Sequence, residues 1–468
     1  MAKDRIYFVG IGGIGMSALA RYFRYEGWQV AGYDRTLSPL IDSLEREGIL
    51  VHYEDSVDAI PAAFRSPADT LVIYTPAIPA DHAELNWFRD NGFEVLKRSR
   101  MLGLLGEGKD VMAVAGTHGK TTTTTMVAHF NAVGAGEGSA FLGGISKNFD
   151  SNLVLGKGRR MAVEADEFDR SFLQLHPKEA VITSVDPDHL DIYGTYEAVR
   201  EAFAQFASQI VPEGTLILKK GVSLPLDRKD IRRYTYHVTD TDADFHARNL
   251  TVDAGGYYTF ELVFPDRTIE GCRLGIPGLV NVENCVAAAA LVWCEGFLSD
   301  DKLREAVATF RGVQRRFDFW VNEPANPEGT IYMDDYAHHP AELRAMLTSV
   351  RKMFPQRELT VVFQPHLYTR TRDFAPEFSQ VLSLADRVLL LPIYPARELP
   401  IPGVESEMIL RGITAPQKKL LTKEGLLDEI EALPGGGVLV TAGAGDIDRF
   451  CAPVAEIVRR KNQSGGVG

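Results

Sequence analysis

Residues 110–125, DVMAVAGTHGKTTTTT, pass from an apolar strand through a glycine turn into a threonine-rich helix. Within them, Gly116-Thr117-His118-Gly119-Lys120-Thr121 reads as a phosphate loop, with Thr122 following in the same turn. Backbone N–H groups of such a loop wrap nucleotide phosphates, its lysine reaches the β and γ phosphates, and the hydroxyl after it ligates magnesium. Lys120 and Thr121 occupy those places. The loop is short, because Val114 stands where the strict pattern has its first glycine, so the reading rests on the strand, loop and helix context. The plainer alternative is a glycine turn carrying a surface lysine.

Upstream, residues 1 to about 107 alternate short apolar runs (RIYFVG, WQVAGYD, TLVIYTPA) with helical stretches after Gly15 and Ser38. That alternation predicts a parallel sheet. Its first turn is Gly10-Ile-Gly12-Gly13-Ile-Gly15, with Asp34 closing the next strand. Glycines there let the backbone approach a diphosphate, the helix start supplies N–H groups, and the acid can accept from a ribose hydroxyl. An unliganded βα turn is the alternative, and the motif does not separate NAD from another diphosphate nucleotide. The glycine-broken LGLLGEGKD puts a boundary near Gly108.

Downstream come the strands MAVEADE, EAVITSV and TLILKK, a meander-like region from Tyr234 to Ile276, and the helix NVENCVAAAALVWC. A third αβ pattern begins near Gly312 and ends in a helix from Asp446, with NQSGGVG as a loose tail. The expected fold is α/β in three domains: Rossmann-like over 1–107, a P-loop ATPase-type domain over 108–311, and Rossmann-like over 312–468.

Glu164-Ala-Asp166-Glu167 and Asp188-His189-Leu-Asp191 follow strands, and ligands gather at such strand ends. Glu164 and His189 suit metal ligation, whereas Asp166, Glu167 and Asp191 read as solvated loop or cap residues. Asn281 and Asn284 share one helix face, where paired amides could read an adenine edge or Asn281 could cap the helix. Arg315-Arg316 could supply a finger-like cation to a phosphoryl group, or lie on an exposed face. Asp334-Asp335 leads through His338 into a helix, and Arg370 and Arg372 in QPHLYTRTR could hold a carboxylate.

Of 468 residues, 45% are hydrophobic and 24% charged, which excludes a disordered or collagen-like chain. The net charge of −13, with no basic stripe, argues against a nucleic-acid partner. Four cysteines without a CxxC pair indicate neither a disulfide framework nor a zinc site, and are read as packed apolar side chains. No apolar run reaches membrane-spanning length, and the expected compartment is the cytoplasm.

Taken in order, VGIGGIGMSALA, GTHGKTTTT, EADEFDRSFL, DPDHLDIY, NVENCVAAA, RRFDF, DDYAHHPAE, QPHLYTRT and TAGAGDI resemble the Mur ligase family over essentially the whole chain, and within it the alanine-adding branch. The resemblance implies an ATP-dependent, magnesium-requiring ligase of peptidoglycan precursor synthesis, hence of cell-wall biogenesis, cell shape and division. Its partners would be UDP-N-acetylmuramate and L-alanine. Gly12, Gly13, Ile14, Asp34 and Thr75 would face the UDP moiety. Lys120 and Thr121 would bind ATP phosphate and magnesium, with Gly116, Thr117, His118, Gly119 and Thr122 around them. Glu164 and His189 would hold metal ions, Asn281 and Asn284 the adenine region, and Arg316 and Asp335 phosphate and ribose. His338 and Arg370 would serve the amino-acid side.

Rival readings are a murein-tripeptide recycling ligase, an NAD-dependent oxidoreductase, and a nucleotide-gated UDP-sugar-binding protein that makes no bond. The sequence departs from the family in two places. Leu367 stands where many alanine-adding relatives have an arginine, leaving Arg370 or Arg372 to hold the amino-acid carboxylate. No lysine occurs between His189 and Lys219, where some relatives carry a lysine carbamate near the second metal. Activity should therefore show no dependence on bicarbonate at fixed pH, measured as turnover in degassed and bicarbonate-supplemented buffer; restoration by bicarbonate would contradict this.

Overall fold

Three β-sheets organise the computed structural model, which describes residues 3–134, 136–187, 190–323, 325–396 and 398–464. The first is fully parallel, in the order Leu50–His52, Gln29–Tyr33, Arg5–Val9, Thr70–Tyr74, Glu94–Lys97. Its first strand lies in the middle, so the order reverses there and the glycine turn after Val9 opens onto the switch point, where a ligand finds room.

The ten-stranded central sheet repeats this device. Asp110–Ala115 lies between Glu179–Ile182 and Arg160–Glu164, parallel to both. Three strand ends thus converge on the loop that begins at Gly116. The central strand is apolar on both faces, as a parallel strand covered on both sides must be, with Val111 to Ala115 buried. The helix Lys120–Gly134 tolerates its threonines because their hydroxyls are occupied. Thr124 Oγ1 donates to Lys120 O at 2.8 Å and Thr125 Oγ1 to Thr121 O at 2.7 Å, so these buried side chains leave no polar atom stranded. The C-terminal sheet has six strands, in the order Asp318–Val321, Ile331–Asp335, Val438–Ala442, Leu359–Phe363, Arg387–Leu390, Gln417–Leu420.

The chain forms two compact units. The first holds residues 1–249, 260–273 and 282–311, and the second 312–468 together with 250–259 and 274–281, two short pieces from within the expected central span. Three local expectations need correction. The stretch read as a meander opens with a parallel pairing, Tyr236 opposite Phe245 and His237 opposite His246. The last helix starts at Cys451, after a 3-10 turn over Asp446–Phe450. That turn is held from outside: Gln364 donates to Asp446 Oδ1 at 2.8 Å and accepts from the Ile447 N–H at 3.0 Å. Nor is the tail loose at its beginning, for Asn462 accepts from Thr330 N at 2.7 Å and donates to Thr330 O at 3.1 Å.

At the opposite end of the central sheet from the loop, Glu179 begins its strand with its side chain fully buried. Lys178 is drawn mainly to Glu295, at 2.7 Å, and stays 3.9 Å from Glu179. Burial, reinforced by the Glu295 carboxylate, pushes the Glu179 acid up to about 8. The folded state therefore holds a proton that the unfolded chain releases near 4.5, and the stability this proton contributes is present at low pH and lost as pH rises from about 4.5 through about 8. Glu179→Gln, which keeps the shape and removes the titration, should flatten the fall in melting temperature across that window. An unchanged pH profile by differential scanning calorimetry would refute the assignment.

Candidate active site

The first glycine turn is held by its own acid. Asp34 accepts from the Gly12 N–H at 2.8 Å and from the Thr36 N–H at 3.0 Å, so both carboxylate oxygens brace the turn. Gly10 has φ +89°, and a Cβ there would lie 2.6 Å from the Thr75 methyl, which packs the end of the fourth strand against the turn. Gly13 caps the helix Ile14–Tyr25 without a side-chain hydrogen bond, leaving its first-turn N–H groups to an outside acceptor. The Ile14 carbonyl accepts from Ser17 Oγ and from Asn152 Nδ2 of the central domain.

The second loop is built around a buried cation. Lys120 Nζ donates to Gly116 O at 2.6 Å and lies 2.9 and 2.8 Å from the two oxygens of Glu167. Burial opposes its charge, but Glu167, Asp166 and Glu164 outweigh that and hold the ammonium protonated. Glu167 is thus a buried partner of the loop lysine and not the solvated residue that was expected. Gly116, at φ +129°, leaves no room for a Cβ beside Thr183, and a Cβ on Gly119 would lie 2.7 Å from Asn284 Oδ1. Thr117 Oγ1 meets Ser184 Oγ at 2.7 Å and Asp186 at 3.0 Å, and the His118 N–H donates to Ser184 Oγ at 3.0 Å. Thr121 Oγ1 donates to Glu164 Oε1 at 3.1 Å, while Thr122 is half-buried on the same turn. A hydroxyl and a carboxylate so placed are hard oxygen donors suited to magnesium. Asp188 and His189 lie outside the described residues, so the expected second metal ligand has no geometry here.

Asn281 and Asn284, expected to act together, do different work. Asn281 donates to Pro277 O at 2.7 Å, one helical turn back, and does not cap the helix. Asn284 accepts from Thr123 Oγ1 at 3.3 Å and buttresses the phosphate loop.

In the second unit the two adjacent arginines separate. Arg315 reaches Asp334, fully buried, at 3.1 Å and also donates to Gly443 O. The Arg315 guanidinium also lies over the Tyr336 ring, 5.3 Å from its centroid, and left-handed residues, Arg315 (φ +60°) and Phe317 (φ +48°), frame Arg316. Its guanidinium lies over the Tyr336 ring, 5.1 Å from the centroid, and donates no hydrogen bond among the described residues. Asp335 accepts from the N–H groups of Phe317 at 2.7 Å and Ala337 at 2.8 Å, and burial, opposed by Arg316, raises its carboxyl to about 6. His338 and Arg370 meet at His366. The His338 and His366 rings are 5.9 Å apart, Arg370 Nη1 is 3.3 Å from His366 Nδ1, and His366 stacks on Tyr394. Burial keeps His338 below the usual histidine range, hence neutral near pH 7. Arg372 does not join them; it is exposed and turned onto Asp373 at 2.7 Å. Leu367 occupies a left-handed position, φ +71°, and donates its N–H to Tyr394 O at 2.9 Å.

Two nucleotide-type loops at switch points, with a third α/β sheet that carries an arginine whose guanidinium donates no hydrogen bond among the described residues, define a multidomain α/β protein of phosphoryl-transfer type. Family models match along the chain: the Mur ligase family catalytic domain over 5–109, the Mur ligase middle domain over 114–292, and the Mur ligase glutamate ligase domain over 315–445. The chain belongs to the Mur ligase family. A UDP-N-acetylmuramate–L-alanine ligase of Parabacteroides distasonis is 52% identical, with 97% of each chain covered. The crystal structure of the UDP-N-acetylmuramate–alanine ligase of Thermotoga maritima matches with a TM-score of 0.79 at 27% identity, covering 98% of this chain and 99% of that one. A murein peptide ligase from Psychrobacter arcticus shares the fold at 22% identity and a TM-score of 0.69.

The sequence reading missed Glu167, Ser184, His366 and Tyr394. For Glu167 the available signal was its place after a strand end, in the same EADE as Glu164. Substitution separates the two arginines. Arg315→Ala strands a buried carboxylate and should cost about 3 kcal/mol or more in chemical denaturation, whereas Arg316→Ala should stay within about 0.5 kcal/mol. The opposite order would overturn the division of roles.

Proposed function

We infer that the chain is an ATP-dependent ligase joining L-alanine to the lactyl carboxylate of UDP-N-acetylmuramate, in peptidoglycan precursor synthesis. The observation that carries this is whole-length identity, 52% over 97% of both chains, to a relative of that activity, together with a phosphate loop whose lysine is held charged. A carboxylate is a poor acyl donor because its leaving group would be oxide. The γ-phosphoryl of ATP passes to a lactyl oxygen, giving an acyl phosphate and ADP. The alanine amine then attacks the acyl carbon, phosphate departs as the C–N bond forms, and the amine loses its proton.

The site residues are assigned by the same reading. Lys120 neutralises the β and γ phosphates, with the loop residues Gly116 to Thr122 around them. Thr121 and Glu164 would hold magnesium, which when bound supplies charge neutralisation between the phosphates, and His189 would serve a second ion. Asn284, which buttresses the loop, and Asn281, one turn nearer the helix start, would serve the adenine region, and Arg316 and Asp335 the phosphate and ribose. Gly12, Gly13, Ile14, Asp34 and Thr75 face the UDP moiety, with the first-turn N–H groups of the helix Ile14–Tyr25 left for its diphosphate, and His338 and Arg370 receive the alanine carboxylate. The domain bounds 1–107, 108–311 and 312–468 assign UDP substrate, ATP and closure to successive segments. Among the described residues no helix is long and apolar enough to cross a membrane. We assign the chain to the cytoplasm, where ATP and UDP-sugars are available.

Product formation, followed by mass spectrometry, should require ATP, magnesium, UDP-N-acetylmuramate and L-alanine together. Preference for a peptide over alanine would move the assignment to a recycling ligase, and ATP hydrolysis without amide to a binding switch. Lys120→Ala should abolish turnover while calorimetry shows UDP-N-acetylmuramate binding retained, and Arg316→Ala should lower kcat by about 10³-fold. Equal loss of UDP-substrate binding and turnover in Lys120→Ala would contradict separate nucleotide loops.

A further inference from the structure

Phosphoryl transfer joins two substrates held by two different turns, so the separation of those turns is part of the chemistry. Reacting atoms must approach to about 3.5 Å, and a misplacement of about 1 Å can lower a rate about a hundredfold. The first glycine turn and the phosphate loop belong to different sheets, yet one element of the first unit reaches both. This is the antiparallel hairpin of Ser139–Ser146 and Ser151–Val154 at the edge of the central sheet. Its inner strand runs parallel to Arg160–Glu164, with Phe141 opposite Val163, and lies so close to the Glu164 carboxylate that Gly143 has no room for a Cβ. Glu164 in turn accepts from Thr121 of the phosphate loop.

The outer strand carries Asn152, which is fully buried although its strand is an edge. Its amide is turned onto the helix Ile14–Tyr25. Nδ2 donates to Ile14 O and, at 2.9 Å, to Ser17 Oγ, and Oδ1 accepts from Arg21 Nη1. Ile14 is the first residue of that helix, so the amide grips the turn whose N–H groups are left to an outside acceptor. Apolar contact accompanies the grip, with the Tyr22 and Phe141 rings 5.7 Å apart. Apolar attraction has no direction and sets no register, whereas a buried amide out of register would leave its donors and acceptor unsatisfied. Arg21 has anchors of its own in Glu47 and Ser43, so the Nδ2 bonds to Ile14 and Ser17 are the part of this contact that concerns the turn.

We propose that Asn152 is a positioning residue that sets the register between the UDP-substrate turn and the phosphate loop. It acts through Ile14 on one side and, along its hairpin, through the Glu164 carboxylate on the other. The proposal rests on the ligase reading above. Each turn keeps its own ligand without Asn152, but the lactyl oxygen and the γ-phosphoryl no longer meet at the distance that transfer requires.

The test combines steady-state ligation, calorimetric binding of UDP-N-acetylmuramate and of ATP separately, and melting temperatures, for wild type, Asn152→Ala, Asn152→Asp and Arg21→Ala. Asn152→Asp keeps an acceptor for Arg21 and sets a carboxylate oxygen, in place of the donor, against the Ile14 carbonyl; it carries the test if Asn152→Ala does not fold. A wild type that forms no amide from UDP-N-acetylmuramate would sink the ligase reading before any variant is compared. Given activity, both Asn152 variants should lower kcat about tenfold to a hundredfold, while the dissociation constant of each substrate alone stays within about twofold. Arg21→Ala leaves the Nδ2 bonds in place, and should lower the melting temperature while keeping kcat within about threefold. If kcat instead follows melting temperature across all four proteins, Asn152 is only a structural contact and the proposal fails. It fails equally if a folded Asn152→Asp keeps wild-type kcat, or if its affinity for UDP-N-acetylmuramate falls as much as its kcat.

Discussion

A buried ammonium must be surrounded by oxygen, and the central domain is arranged around that demand. Lys120 stands at the first position of a helix whose own start carries positive partial charge, so neither burial nor the helix favours it. Its charge survives because Glu167 and the Gly116 carbonyl reach it from two strand ends. The glycines of the loop answer to other neighbours: a Cβ at 116 would meet Thr183 and Ser184, after the strand Glu179–Ile182, and one at 119 would meet Asn284. A buried ion pair is weak evidence for stability, because desolvation offsets most of the attraction. It does hold the cation in place, only 13% exposed, where phosphate oxygens would arrive.

The first unit uses the same geometry twice. In both sheets the first strand of the segment lies in the middle, the order reverses beside it, and a glycine turn opens at its carboxyl end. What differs is the polarity of the bracing. In the first turn an acid, Asp34, ties down backbone N–H groups and leaves the helix start to a ligand; in the second, a lysine is tied down by an acid. The second unit contributes through a different contrast, since Arg315 is absorbed in neutralising a buried aspartate while Arg316 keeps its donors uncommitted over an aromatic ring. Two identical side chains over the same Tyr336 ring thus differ in what they can do, because Arg315 is the one of the two held by the Asp334 carboxylate.

The fold class, both glycine turns and the placement of Lys120, Thr121 and Glu164 at strand ends were legible in the sequence, because each depends on local order: a strand's apolar run, a glycine where the backbone must bend, and a polar residue at the next position. The alternation of strands and helices carries its own spacing, so the parallel sheets followed from it. What lay beyond the sequence were pairings between distant segments. Nothing near Glu167 shows that a lysine 47 residues earlier will bury against it. Asn281 and Asn284 share a helix face, yet only packing decided that one would turn back on the chain just before the helix and the other against a glycine loop. Asn152 has an ordinary local context, and its hold on the Ile14 carbonyl exists only once its hairpin and the glycine-led helix meet. Local conformation is set by short-range sterics that a sequence spells out. The partner of a charged side chain is set by which strand ends the topology brings within a few ångströms, and that is decided by the tertiary structure alone.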